Sequence, residues 1–378
     1  MSEKLSSDIL REIFSQFDKD PGKSRKHVVR ERRDLLSCAL VNRQWCEVAI
    51  PLLWRRTFFQ LRESYSPIPP NPKLIDAYFY HLNDTERMNL LSHDFILPNY
   101  NNEDSDKDNY SNDDDNKLHS HFNYPSYLRH LDFSLMLHSV EEWCLRRVQR
   151  RPRYEYLNSE DSSDDSLFDY DDDNSRFYNN KLVHVHSEQQ FARLSLKKRV
   201  KLLTPAVTRI LLRIFKRNSA VINTLQCCGE RVDHDEDYLI IAEPEFAEFF
   251  SSVRKVILDS PFYLDRVLLC LSIACKDLED IDVSFFHRRG RNKPIAPTSW
   301  YLSSYEVKNV TTLIESQKNL KTLIIRYCEI TDLVNHVMPS FKSQASTLRR
   351  LILHNVLERL HKNNALFRCC AVVGSVVS

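Results

Sequence analysis

Glycine is the scarcest signal in this chain of 378 residues: there are four, Gly22, Gly229, Gly290 and Gly374, and no two are close together. Loops that cradle phosphates need glycines clustered within a few residues, so that backbone N–H groups can approach the oxygens. The same scarcity removes the Gly-x-Ser-x-Gly turn that presents a serine nucleophile. Most routes to nucleotide chemistry and serine hydrolysis are thereby closed, and no enzymatic activity and no cofactor are expected. The ten cysteines contain no Cys-x-x-Cys pair; Cys227-Cys228 and Cys369-Cys370 are adjacent and the others scattered. A structural zinc site therefore has little support. His119-x-His121 and His184-x-His186 lack neighbouring ligands at a recognisable spacing, so they read as half-exposed strand or loop residues rather than metal ligands.

Long apolar runs are also missing. The best, Val267 to Cys275, is flanked by Asp265, Arg266 and Lys276 and falls well short of the roughly 20 residues that span a bilayer. Met1 to Lys4 lacks the basic-then-apolar build of a secretory signal. The expectation is an intracellular protein, cytoplasmic and/or nuclear, with reduced cysteines and no membrane partner. A formal net charge of +1 argues against a dedicated nucleic-acid binder.

That balance hides uneven distribution. Asn99 to His121 and Asn158 to Asn180 are rich in carboxylates, including Asp113 to Asp115 and Asp169 to Asp173 with one tyrosine among the latter. Like charges repel and little surface can be buried, so both read as flexible insertions. Ser105, Ser111 and Ser162 each have an acid three residues on, which an acidophilic kinase would accept, but solvated loop residues are the preferred reading.

What is present begins at the N-terminus. Ser6 or Ser7 can cap a helix with Asp8 in its first turn, and Ile9, Leu10, Ile13, Phe14 and Phe17 form one helical stripe. A second helix is predicted from near Asp34, burying Leu35, Leu36, Ala39 and Leu40. A third is predicted from Asn42, burying Trp45, Val48 and Ala49 before Pro51 stops it. The preceding stretch, with Gly22, Lys23, Arg25, Lys26, Arg30, Arg32 and Arg33, reads as an exposed basic loop. Three short helices make a small core, which predicts that part of the stripe faces a partner.

Leu5 to Trp54, through Leu5-x-x-x-Ile9-Leu10, Val41-x-Arg43-x-Trp45 and Pro51-Leu52-Leu53-Trp54, resembles an F-box, and fungal members in particular. It departs from the family in two places. Ser6 stands where proline is usual, and Leu35 follows Phe14 by 21 residues, considerably more than the family pattern. The resemblance implies docking to the Skp-type adaptor of a cullin-RING ubiquitin ligase, and through it to cullin and RING subunits. On that reading Leu5, Ile9, Leu10, Ile13, Phe14, Leu36, Val41, Trp45, Leu52 and Leu53 are candidate adaptor anchors. Arg43 and Pro51 would shape the helix junction.

A faint repeat follows. Leu128-x-x-Leu131-x-Phe133, Ile222-x-x-Leu225-x-Cys227, Val253-x-x-Val256-x-Leu258, Leu278-x-x-Ile281-x-Val283, Leu320-x-x-Leu323-x-Ile325 and Leu348-x-x-Leu351-x-Leu353 share one pattern. Leu278 follows Val253 by 25 residues and Leu348 follows Leu320 by 28; the longer interval between them holds an irregular stretch from Arg288 to Ser304. Such periods fall in the leucine-rich-repeat range of about 20 to 29 residues. Helical stretches at Val200 to Arg217, Tyr263 to Ala274, Tyr305 to Gln317 and Asp332 to Ser343 separate the strands. The expected fold class is α/β: a three-helix F-box-like module, then an irregular leucine-rich-repeat solenoid with parallel strands inside and helices outside. An ordinary α/β domain with the same alternation stays open.

Strand alternation assigns Lys255, Ile257, Asp259, Asp280, Asp282, Ser284, Thr322, Ile324, Arg326, Arg350, Ile352 and His354 to the face away from the helices. Of these, Lys255, Asp259, Asp280, Asp282, Ile324, Arg326, Arg350 and His354 are the candidate target-binding residues. The organisation reads as a docking module (1–60), a linker with a helix (61–98), an acidic insertion (99–123) and a first repeat-like unit (124–157). A second acidic insertion (158–180), the repeat domain (181–368) and an apolar tail (369–378) follow. The tail is open to three readings: a further buried strand, a membrane-touching segment if Cys369 or Cys370 were acylated, or a truncated reading frame. The resulting expectation is a non-enzymatic target receptor for ubiquitin transfer; the alternative is a ligase-independent interaction scaffold.

Overall fold

The computed structural model describes residues 6–16, 25–58, 70–93, 95, 97, 122–148, 195–227, 235–259, 264–284, 304–326, 333–359 and 366–373. Leu5, both histidine pairs and nearly all of both acidic insertions lie outside them.

Helix α1 (Ser7–Ser15) starts as its sequence predicts: Ser6 Oγ accepts the Ile9 N–H at 3.3 Å, with Asp8 in the first turn. Helix α2 differs from expectation. It runs Arg25–Ala39, so the basic stretch from Arg25 is helix rather than loop. No glycine or proline interrupts it, and Arg, Lys, Glu and Leu are strong helix formers. Arg32 also gains tertiary partners, its guanidinium donating to Leu53 O at 3.4 Å and Arg56 O at 3.1 Å. These carbonyls lie at and just past the end of α3 (Arg43–Trp54), where a helix has no N–H donors of its own left for its last C=O groups.

Asn42 caps α3, its side chain accepting the Trp45 N–H at 2.9 Å. Pro51 does not stop this helix, which continues to Trp54. Proline removes one rung, but Leu52, Leu53 and Trp54 pack against hydrophobic cores beyond it. Leu10, Phe14, Leu35, Ala39, Val48 and Ala49 form the module's interior. Leu36 and Leu40, expected to be buried, are instead exposed. The sequence carries two adjacent stripes on α2, and only the Leu35/Ala39 stripe meets α3.

Residues 61–98, read as a linker with a helix, carry two helices that pack into the core. Helices α4 (Pro72–Phe79) and α5 (Asp84–Ser92) bury Ile75, Tyr78, Phe79 and Leu90 in the main core. Asn83 and Glu86 form a reciprocal capping box at the start of α5.

The main body pairs helices with a seven-stranded open sheet in sequential order. Its strands are β1 (His130–Asp132), β2 (Thr224–Cys227), β3 (Lys255–Asp259), β4 (Asp280–Ser284), β5 (Thr322–Arg326), β6 (Arg350–Arg359) and β7 (Leu366–Val373). The first six are parallel, and β7, formed largely by the apolar C-terminal segment, runs antiparallel to β6. Leu131, Leu225, Val256, Ile281, Leu323 and Leu351 face one another in register across six strands, the first five fully inside. Between strands lie α6 (Phe133–Arg147), α7 (Leu196–Arg217), α8 (Pro244–Ser251), α9 (Leu264–Ala274) and α10 (Ser304–Glu315), then a π-turn at Leu333–Val337 and a 3-10 helix at Met338–Gln344.

One backbone arrangement recurs at every step. The carbonyl before each strand accepts two N–H groups of the next unit: Arg129 O from Asn223 and Thr224, Asn223 O from Arg254 and Lys255, Arg254 O from Glu279 and Asp280. Glu279 O and Lys321 O continue the series to Arg350. It also extends backwards, because Arg55 O accepts from Arg129 and His130 at 3.0 Å each. Phe58 then forms a parallel bridge to Leu131. The tail of the helical module thus occupies the sheet's first edge. Two buried glutamines tie later units together: Gln317 receives the Leu278 N–H and donates to Cys275 O, and Gln344 donates to Ile314 O and Gln317 O.

Candidate functional site

The helical module leaves large apolar side chains in water. Ile9 and Ile13 on α1 are 50% and 47% exposed; Leu36, Leu40 and Val41 at the end of α2 are 52%, 80% and 59% exposed. Each pair one turn apart lies on one helix face. Gln44 donates to Ser7 Oγ at 3.5 Å, bringing the start of α1 to the turn that carries Leu40 and Val41. Scattered exposed leucines need no explanation, but five within one small helical module make it a candidate interaction surface.

The other docking candidates sit elsewhere. Leu10 and Phe14 are interior, and Trp45 packs edge-on against Phe14 with ring centroids 5.4 Å apart. Their positions support the module rather than offer a surface. Arg43 is exposed and pairs with Glu47 at 3.0 Å. Pro51, Leu52 and Leu53 are half-buried. Leu40, the most exposed of the group, was missed; its place one turn after Leu36 was the available signal.

On the sheet face away from the helices, the ladder sets Lys255 opposite Asp280, Asp282 opposite Ile324, and Arg326 opposite His354. Asp282 and Arg326 form a forked ion pair at 3.1 and 3.2 Å. Arg350 is exposed, while Lys255, Asp280, Ile324 and His354 are half-buried. Asp259 lies at the end of β3. Sequence reasoning missed the start of this face. Arg55, Arg56, Arg129 and His130 gather where the helical module meets β1. Burial first, then Arg56, Arg55 and Lys255, push His130 down to about 3, so it is neutral at physiological pH.

Among the described residues no group of three or more His, Cys, Asp or Glu side chains is placed to hold a metal, and no helix is long and apolar enough to cross a membrane. Burial pushes the Cys270 and Cys275 thiols up to about 11 and about 12. They remain protonated and poorly nucleophilic.

Residues 7–60 match the F-box-like family, whose domains generally bind Skp-type adaptors. No curated protein and no solved structure matches the chain.

Proposed function

We propose that this protein is the target-recognition subunit of an SCF-type cullin-RING ubiquitin ligase. Its helical module docks the Skp-type adaptor through Ile9, Ile13, Leu36, Leu40 and Val41, and its sheet domain, read as an irregular leucine-rich repeat, holds a protein target. The observation that carries this reading is the exposed apolar surface on a module that matches the F-box-like family. The repeat reading rests on six sequence motifs in parallel register and on the hydrogen-bond step that recurs with each of them.

The mechanism is proximity. Holding the target beside a ubiquitin-charged enzyme raises their effective concentration, while the protein itself makes and breaks no bond. Action on ubiquitin-dependent degradation in the cytoplasm or nucleus follows from the same reading. Co-expression with a Skp-type adaptor tests it: the wild-type chain co-purifies stoichiometrically, and a Leu36→Asp, Leu40→Asp variant that keeps its melting curve does not. Folded wild type that fails to bind overturns the proposal. A second reading has an observation of its own. Arg55 to Phe58 extend the sheet edge, which suits a helical module that merely caps a ligase-independent interaction scaffold; adaptor binding separates the two.

A further inference from the structure

We propose that β7 pairs edge to edge with β7 of a second copy of this chain, joining two sheets across a two-fold axis. The two edges of the sheet differ. At β1 the outer side is taken: Phe58 bridges to Leu131 in parallel, and Arg55 O accepts the Arg129 and His130 N–H groups. At the other end β7 is last in the strand order, and among the described residues no strand lies beyond it. The open side of a last strand presents a row of backbone N–H and C=O groups that another strand can satisfy.

Natural edges are usually blunted by charge, by proline or by a bulge. Leu366-Phe367-Arg368-Cys369-Cys370-Ala371-Val372-Val373 carries one charge and no proline. The irregularity of the hairpin lies in β6. Leu353 is opposite Ala371 and Val356 opposite Cys369, so His354 and Asn355 stand against Cys370 alone, and β7 itself runs evenly. The hairpin also outreaches the sheet. β5 accompanies β6 only as far as His354, whereas β6 and β7 stay paired out to Arg359 and Leu366. Among the described residues that end is a two-stranded ribbon, an arrangement marginally stable on its own in water. A second β7 makes it part of a four-stranded unit.

Symmetry selects the occupant. A two-fold axis perpendicular to the sheet sets a strand antiparallel to its own copy and closes the contact at two chains. Opposed residues of an antiparallel pair turn their N–H and C=O groups the same way relative to the pair, and successive residues alternate. An even strand paired with itself therefore opposes residues of like parity. Two registers then pair seven residues each, 366–372 about Cys369 and 367–373 about Cys370. In the first, Arg368 meets Cys370 of the second copy, and in the second it meets Val372, so the one charge avoids its own copy. The next longest registers pair five residues, and one of them sets Arg368 against itself, which like charges disfavour. Both seven-residue registers put a cysteine on the axis opposite its own copy. Their Cα atoms are then about 4.5 or 5.5 Å apart, within the span of a disulfide.

The test is light scattering of the full chain in reductant, followed by mild oxidation with copper phenanthroline. The expected result is a dimer whose copies become linked through Cys369 or Cys370, read as a doubled tryptic peptide 369–378. Cys369→Ser and Cys370→Ser differ in linking, which names the register. Cys369→Lys with Cys370→Lys sets like charges at the axis in either register and weakens the dimer by roughly tenfold or more. Leu36→Asp with Leu40→Asp leaves the dimer unchanged, because the exposed module surface takes no part in it. Should the lysine variant lose its melting transition, the linked peptide of the wild type decides. A monomer at all concentrations, a dimer with no linked 369–378 peptide, or masses growing beyond two copies overturns the proposal. So does a dimer lost in the Leu36, Leu40 variant but kept in the folded lysine variant. Adaptor binding is read separately and bears only on the ligase reading.

Discussion

The helical module and the sheet domain spend similar side chains in opposite ways. In the sheet domain, Leu131, Leu225, Val256, Ile281 and Leu323 form a continuous interior file, and each strand step is backed by helices. In the module, six residues make the interior while five large apolar residues stay in water. Buried apolar area stabilises at about 25 cal/mol per Å², so the sheet domain gains stability from its own chain, and on the proposed reading the module leaves part of that gain to the adaptor.

The sharpest way to break this contrast is in the sheet. Leu323→Ala, at a fully buried mid-sheet position, is expected to cost about 2 to 5 kcal/mol in chemical denaturation; a change near zero would mean that the strand file does not carry the domain. Leu10→Ala should cost about 2 to 4 kcal/mol within the module. Hydrogen exchange would then show faster amides in α1 to α3 with β3 to β5 unaffected, and uniform acceleration would show that the two regions unfold as one.

Acid sharpens the comparison at the junction. His130 titrates at about 3 in the fold against an ordinary 6.5. Its folded value is depressed, so below 6.5 the unfolded chain binds a proton that the folded chain refuses. The contribution is present above 6.5 and is lost as pH falls toward 3. His81, lowered by burial and by Arg217, adds in the same direction. The melting temperature of the wild type should fall across this window, and His130→Gln should flatten the decline. Smallest of all, Leu40→Ala should change the stability of the free protein by no more than about 0.5 kcal/mol. A larger loss in thermal denaturation would place Leu40 in an interior contact.

The strands were legible because each carries the same compact apolar pattern, and Ser6 and Asn42 were legible because their caps are local. What was hidden depends on tertiary partners. A run of arginines looks like a solvated loop until Arg32 finds two carbonyls at and just past the end of α3. Leu35 and Leu36 are equivalent in sequence, and only the position of α3 decides which is inside. The capping box at Asn83 and Glu86 was a readable sign of where a helix in 61–98 begins. Arg55 to Phe58 were not readable, because a single bridge carries no periodicity.

That short edge segment has a consequence for the order of folding. Parallel strands are slow to pair, since each must wait for the helix between it and its neighbour. Arg55 to Phe58 emerge from synthesis immediately after α3 and offer the first row of acceptors before β1 exists. Growth of the sheet therefore has a template at one end, and assembly by successive addition from β1 onward follows the order in which the chain is made.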